Sequence, residues 1–292
     1  MKYKIYDTSF HYFKTNLIIG LKIFVRILKY RFVFNVYKFI KKKKFEYVDS
    51  IQHIVRQIEK KGYYVVNDFY TKEQCNLLKL EIDKMIQRRE SNIGKGGVWE
   101  DKTKADERCF GAERDSEEIE KFYNDTFLLS VAENYFNGEM VNSNTLAARI
   151  RYKNNNLGSG DGWHRDAYNF QFKALVYLSD VEIKDGPFQM IEKSHTFQNI
   201  LKDTICMNND IGSSRYTSGQ VDRVINENPR RFKKFTAKAG TLIFVDTSTI
   251  HAGMILKKGG ERYTLFNYYL PSYYDVEKQT KVFLTAYQNQ DE

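Results

Sequence analysis

Three residues distant in number share one chemistry. His164 and Asp166 stand two apart in Trp163-His164-Arg165-Asp166. In an extended chain, residues two apart project to the same face, so an imidazole and a carboxylate would lie side by side. A second imidazole, His251, follows 87 residues later in Thr249-Ile250-His251-Ala252-Gly253, after the apolar run 241–245. Two histidines and one carboxylate form a facial triad suited to iron(II), with three adjacent positions left for a chelating cosubstrate and O2. Eleven residues beyond His251, Arg262 begins a run in which Arg262, Thr264, Phe266 and Tyr268 share a face. A planar guanidinium with a hydroxyl two residues away suits a carboxylate, through two parallel charge-assisted bonds and a third donor. A dicarboxylate such as 2-oxoglutarate would chelate the metal at its keto-acid end and meet Arg262 and Thr264 at the other.

Other constellations carry less. Ser194-His195 suggests a hydrolase pair, but no G-x-S-x-G elbow accompanies it, and it reads as structural. Gly158, Gly160 and Gly162 precede a strand rather than a helix. That argues against a dinucleotide site and for a loop at the mouth of an active site. Trp99 and Trp163 are candidates for the pocket wall or for packing.

These side chains need a scaffold. Ile51, Ile54, Val55 and Ile58 mark a helix ended by Gly62, and 63–70 reads as a strand. Thr71 and Gln74 form a capping box for a helix with Leu77, Leu78, Ile82, Met85 and Ile86 inward. Residues 91–115 read as a loop, and helices resume at about 117–136 with Ser116 as cap. Strand-like runs follow at 145–152, 163–170, 173–180, 187–191, 235–245 and 261–270. Helices followed by many short strands indicate an α+β domain built on a sandwich or barrel. Residues 198–234 interrupt the strands for over thirty residues, as a lid or binding loop would.

The chain of 292 residues is 42% hydrophobic and 28% charged, as in an ordinary globular protein. Its formal charge of +9 is unevenly placed. Residues 1–48 hold twelve Lys or Arg and two acids, a net of +10, whereas 49–292 hold 34 basic and 35 acidic side chains. The main domain is therefore nearly neutral and gives no footprint for nucleic acid. Cys75, Cys109 and Cys206 form no C-x-x-C, and a reducing compartment is expected. Within 1–48, Lys22, Arg26 and Lys29 form one helical stripe and Leu17, Leu21, Phe24 and Leu28 another. This amphipathic segment is too charged to span a membrane and lacks a secretory cleavage site. It reads either as a helix packed on its own domain or as a contact with a membrane surface.

The whole pattern resembles the phytanoyl-CoA dioxygenase family of iron(II)/2-oxoglutarate oxygenases. The resemblance rests on Gly62-Tyr-Tyr-Val-Val-Asn-Asp-Phe-Tyr70 with its Thr71 helix, on the W-H-R-D segment and on Asp185-Gly-Pro-Phe-Gln-Met-Ile-Glu-Lys-Ser-His195. The distal His251 and Arg262 complete it. It spans about 60–270 and implies a double-stranded β-helix, a cupin-like jelly roll flanked by N-terminal helices. It also implies a hydroxylase that turns 2-oxoglutarate and O2 into succinate and CO2. Asp166 argues against the halogenating variants, which leave that position open. The family places polar contacts to 2-oxoglutarate on the strand that here carries Arg149 and Arg151. These two arginines would serve there, bind an acidic substrate, or pair with neighbouring acids.

The expected organisation is a basic segment at 1–48 and an oxygenase domain at 49–292 with its lid at 198–234. The lid's basic excess, including Lys202, Arg215, Arg223, Arg230, Arg231, Lys233 and Lys234, points to an anionic small-molecule, glycan or lipid-linked substrate. The expected location is cytoplasmic, with peripheral contact at the inner face of the membrane through 1–48. The rival reading is a cupin-like protein that holds metal without turnover.

Overall fold

The computed structural model describes residues 48–90, 97–160, 162–168, 171–209 and 213–272, and five helical positions between 25 and 36. The helical stripes expected at 17–29 fall mostly outside the described residues.

Helix α1 (Asp49–Lys61) buries Ile51, Ile54, Val55 and Ile58, the spacing of one helix face. It ends at Gly62, whose φ of 92° is left-handed. A Cβ on Gly62 would lie 2.7 Å from Thr249 Cγ2 and 3.0 Å from His195 Nδ1, so glycine is required here twice over. Strand β1 (Tyr63–Val66) follows, shorter than 63–70. The Thr71 capping box forms as expected, with reciprocal bonds of 2.8 and 3.3 Å to Gln74. It opens α2 (Lys72–Glu90), which buries Leu78, Ile82, Met85 and Ile86 but leaves Leu77 exposed.

The 91–115 loop is corrected in its second half. β2 (Trp99–Glu100) and β3 (Asp106–Phe110) lie there. Charged Asp106, Glu107 and Arg108 disguised β3: Asp106 and Arg108 pair with each other, and Glu107 takes its arginines from β4. The expected helix at 117–136 is two helices, α3 (Glu117–Tyr123) and α4 (Thr126–Phe136). Asp125 caps α4, whereas the Ser116 hydroxyl donates to Glu81.

The remaining strands are β4 (Met140–Arg151), β5 (Phe172–Tyr177), β6 (Phe188–Ile191), β7 (Phe232–Lys234), β8 (Leu242–Asp246), β9 (His251–Gly253) and β10 (Glu261–Pro271). Helices α5 (Phe197–Met207) and α6 (Ser218–Glu227) fill the interruption at 198–234. Of the expected strand 235–245 only the end is strand, in β8, while β7 lies just before it. The expected strand 163–170 is a bridge at His164 followed by bends.

A seven-stranded antiparallel sheet, ordered β1-β8-β5-β10-β4-β3-β2, faces a three-stranded sheet ordered β7-β6-β9. This is the jelly roll expected, with helices on one side. Leu242 and Phe244 of β8 join the core under the helices, while Ile243 and Val245 join the core between the sheets. Burial on both faces explains why β8 is apolar from Leu242 to Val245. Each such side chain contributes about 1.5–3 kcal/mol on leaving water.

Candidate metal and cosubstrate site

The fold brings His164, Asp166 and His251 together. His164 and His251 exchange backbone bonds of 2.9 and 2.8 Å as an antiparallel pair, so their rings share a face. The Asp166 amide bonds to Thr247 O at 3.0 Å. Between them, fully buried Arg165 points the other way. It donates to Ser194 O at 2.6 Å, to Ser248 O and to the Tyr216 hydroxyl. That anchor preserves the alternation of His164 and Asp166 where a regular strand is lacking.

Each imidazole is oriented by its own turn. His164 Nδ1 lies 2.8 Å from Gly162 O, and His251 Nδ1 lies 2.9 Å from Thr249 O. A carbonyl only accepts, so each Nδ1 carries a proton and each Nε2 is turned toward Asp166. The Nε2 atoms lie 3.5 Å (His164) and 3.9 Å (His251) from Asp166 Oδ1. One ligand atom from each residue falls within 4.8 Å of the others, a group that could hold a metal ion. Burial, and then His164 beside it, lower the His251 pKa to about 3, so the ring is neutral. Burial opposes ionisation of Asp166, but Lys173 and the two histidines outweigh it and hold the carboxyl well below the usual carboxylate range. The donor set is one carboxylate and two imidazoles, which fits a divalent transition metal.

On β10, Arg262 and Thr264 face the space between the sheets. Both are buried, and Arg262 Nε, Arg262 Nη1 and Thr264 Oγ1 have no hydrogen-bond partner. Burial depresses the guanidinium pKa despite Tyr177 and Asp106 beside it. Buried donors without partners cost about 1–3 kcal/mol each. A dicarboxylate would answer all three, so the residues fit 2-oxoglutarate.

The model of the family described as phytanoyl-CoA dioxygenase matches residues 58–254. The chain belongs to that family. It is accordingly a non-haem iron(II)- and 2-oxoglutarate-dependent dioxygenase, with O2 the oxidant expected of the family. No curated protein sequence matches the chain. Among solved structures, the iron-bound EctD from S. alaskensis superposes with a TM-score of 0.59 at 13% identity, covering 79% of this chain and 81% of that one. The α-ketoglutarate-dependent epimerase SnoN from nogalamycin biosynthesis gives 0.56 at 14%, covering 76% and 83%. HygX from Streptomyces hygroscopicus, with nickel and 2-oxoglutarate bound, gives 0.54 at 13%, covering 76% and 88%. At these identities the likeness is one of fold.

Two cosubstrate candidates of this family member are corrected. Arg149 and Arg151 lie in register with Tyr263 and Glu261, whereas Arg262 pairs with Ile150. They therefore project from the opposite face of the sheet. Arg149 donates to both Glu107 oxygens at 2.8 Å and to Asp83 at 2.7 Å, and Arg151 also meets Glu107. His195 is structural, with Nε2 3.0 Å from Glu59 O. Trp163 packs on Phe232, and Trp99 stacks on Arg108. The glycine loop does adjoin the metal group: a Cβ on Gly160, where φ is 83°, would lie 2.7 Å from His164 Cε1.

Sequence reasoning missed Lys173, whose Nζ lies 2.6 Å from Asp166 Oδ2, and Tyr177 beside Arg262. The available signal was a lysine inside the apolar run Phe172-Lys-Ala-Leu-Val-Tyr177.

Proposed function

We propose that this dioxygenase hydroxylates an anionic small-molecule, glycan or lipid-linked metabolite. His164, Asp166 and His251 hold the iron, and Arg262 with Thr264 holds the distal carboxylate of 2-oxoglutarate. The observation that carries this reading is the convergence of two oriented Nε2 atoms on Asp166 Oδ1, within one jelly roll that also buries an unpartnered carboxylate clamp. When bound, iron with 2-oxoglutarate and O2 supplies C–H hydroxylation, releasing succinate and CO2. The chain's part is to orient two ligand rings, bury the clamp and keep the site dry.

The lid supports an anionic substrate through one residue in particular. Lys202, Arg231 and Lys233 are paired with Glu227, Asp203 and Glu192. Arg215 bridges His164 as an antiparallel partner, which directs it to the metal-facing side. It is exposed, and its Nη1 donates to Gly160 O at 2.5 Å. A guanidinium there suits a substrate carboxylate, phosphate or sulfate. Residues 1–48 would bring the enzyme to an anionic membrane surface. The charge split supports this, as do exposed Val25, Leu28, Phe32 and Val36 at helical spacing. Among the described residues, no helix is long and apolar enough to cross a membrane.

Succinate release should be screened over paired anionic and neutral candidates. Iron-dependent succinate that responds only to anionic compounds, and is lost in His164→Ala together with iron binding, supports the proposal. Full iron occupancy and turnover in His164→Ala would refute the ligand assignment. Salt-sensitive sedimentation of the full chain with anionic vesicles tests the membrane contact, and no binding at low salt would end it.

A further inference from the structure

Lys173 is an unusual neighbour for a metal ligand. It lies on β5, is 8% exposed, and faces the space between the sheets. Its Nζ sits 2.6 Å from Asp166 Oδ2 and 4.2 Å from the centre of the Tyr268 ring. Lys173 and Tyr268 are direct partners across the β5–β10 ladder, so the same ladder that builds the barrel places the ammonium. The contact with Asp166 is a close charge contact rather than a directed hydrogen bond. The ring face and the carboxylate hold the lysine from two sides.

The two oxygens of Asp166 are thereby made unequal. Oδ1 is the oxygen lying 3.5 and 3.9 Å from the two Nε2 atoms, while Oδ2 is drawn to Lys173. The difference bears on coordination. A facial triad leaves three adjacent positions, of which a chelating 2-oxo acid takes two and O2 needs the third. If Asp166 bound through both oxygens, it would take that third position. We infer that Lys173 is a positioning residue that keeps Asp166 monodentate and so preserves the O2 position once 2-oxoglutarate is bound. The inference rests on the triad assignment above. It concerns how the carboxylate binds rather than whether it binds.

The role has a signature that simple support of Asp166 lacks. Without Lys173, a second carboxylate oxygen is released and a cation beside the metal is removed, and both favour metal binding. Iron should therefore bind at least as tightly while the open position is lost. Full-length wild type, Lys173→Met, Lys173→Gln and Lys173→Arg should be compared without O2, with folding checked by circular dichroism. Iron(II) affinity, the iron–2-oxoglutarate charge-transfer absorption and the electron paramagnetic resonance signal of added nitric oxide should be read. Nitric oxide reports a position open to a diatomic ligand.

Lys173→Met and Lys173→Gln should keep iron affinity at or above wild type and keep the charge-transfer absorption. Their nitric oxide signal at saturating 2-oxoglutarate should fall at least fivefold, and Lys173→Arg should return it to within twofold of wild type. Tyr268→Leu, which loosens the ammonium without removing it, should lower the signal two- to threefold and decides the matter should the Lys173 variants not fold. An undiminished signal in the folded variants overturns the inference. So does iron binding weakened tenfold or more, since the lysine would then merely hold the ligand in place. If wild type binds no iron, or if His164→Ala binds it fully, the triad reading fails instead and this inference falls with it.

Discussion

Two arginines on neighbouring strands of the large sheet have opposite fates. Arg149 on β4 projects to the helix side, where Glu107 of β3 and Asp83 of α2 answer its guanidinium. Arg262 on β10, one residue out of register with it, projects between the sheets, where Nε and Nη1 have no partner. Ion pairing raises the pKa of Arg149, led by Glu107, while burial lowers that of Arg262. On the side under the helices the guanidinium is answered within the fold. On the side between the sheets Arg262 Nε and Nη1 and Thr264 Oγ1 are left without partners, as the proposed cosubstrate clamp requires. Change on the first side should therefore appear as lost stability, and change on the second as lost binding.

The sharpest contrast is Arg262→Ala. Loss of a buried, charge-assisted partner costs about 2–5 kcal/mol in binding, so the 2-oxoglutarate requirement should rise well over tenfold. Stability should hold or improve, because a buried charge with two unpartnered nitrogens is removed. An unchanged requirement, measured by succinate release, would break the comparison at its functional end. Arg149→Ala is the converse. Losing the bidentate partner of Glu107 should cost up to about 3 kcal/mol of stability, reduced because Arg151 still meets Glu107 and Asp83 is partly solvated, with an unaltered 2-oxoglutarate requirement. Denaturant midpoints measure it, and a shifted requirement would return Arg149 to the cosubstrate site.

A pH series on metal-free protein sharpens the comparison further. The His251 pKa is depressed from 6.5 to about 3 in the folded chain. Below 6.5 the unfolded state protonates first, so the stability due to neutral His251 is whole above that pH and lost as pH falls toward 3. His251→Gln should flatten this part of the stability curve, and an identical acid profile in the variant would contradict it. The smallest effect is expected at Leu77, which is exposed on α2. Leu77→Ala should change stability by less than about 0.5 kcal/mol, against about 2–5 kcal/mol for buried Leu78→Ala. Equal losses in thermal unfolding would show that Leu77 is covered by something else.

The residues that could do chemistry were legible in the sequence because their types are rare in combination and their spacing is local. His164 and Asp166 needed only the two-residue alternation, and Arg262 and Thr264 needed it again. The α1 face, the left-handed stop at Gly62 and the Thr71 capping box were legible for the same reason: each is settled within one turn of chain. What the sequence left open was decided by partners distant along it. Alternation shows that Arg149 and Arg151 share a face, but only the β4–β10 register shows that it is the face turned from Arg262. Asp106-Glu107-Arg108 resembles a loop until β4 pairs with it and brings Arg149 and Arg151 to Glu107. Lys173 resembles an interruption in an apolar strand until the folding of β5 beside Asp166 gives its charge a carboxylate. Sequence fixes which groups share a face within a strand; the packing of strands against each other decides which faces meet, because burial and charge are satisfied across the fold and not along the chain.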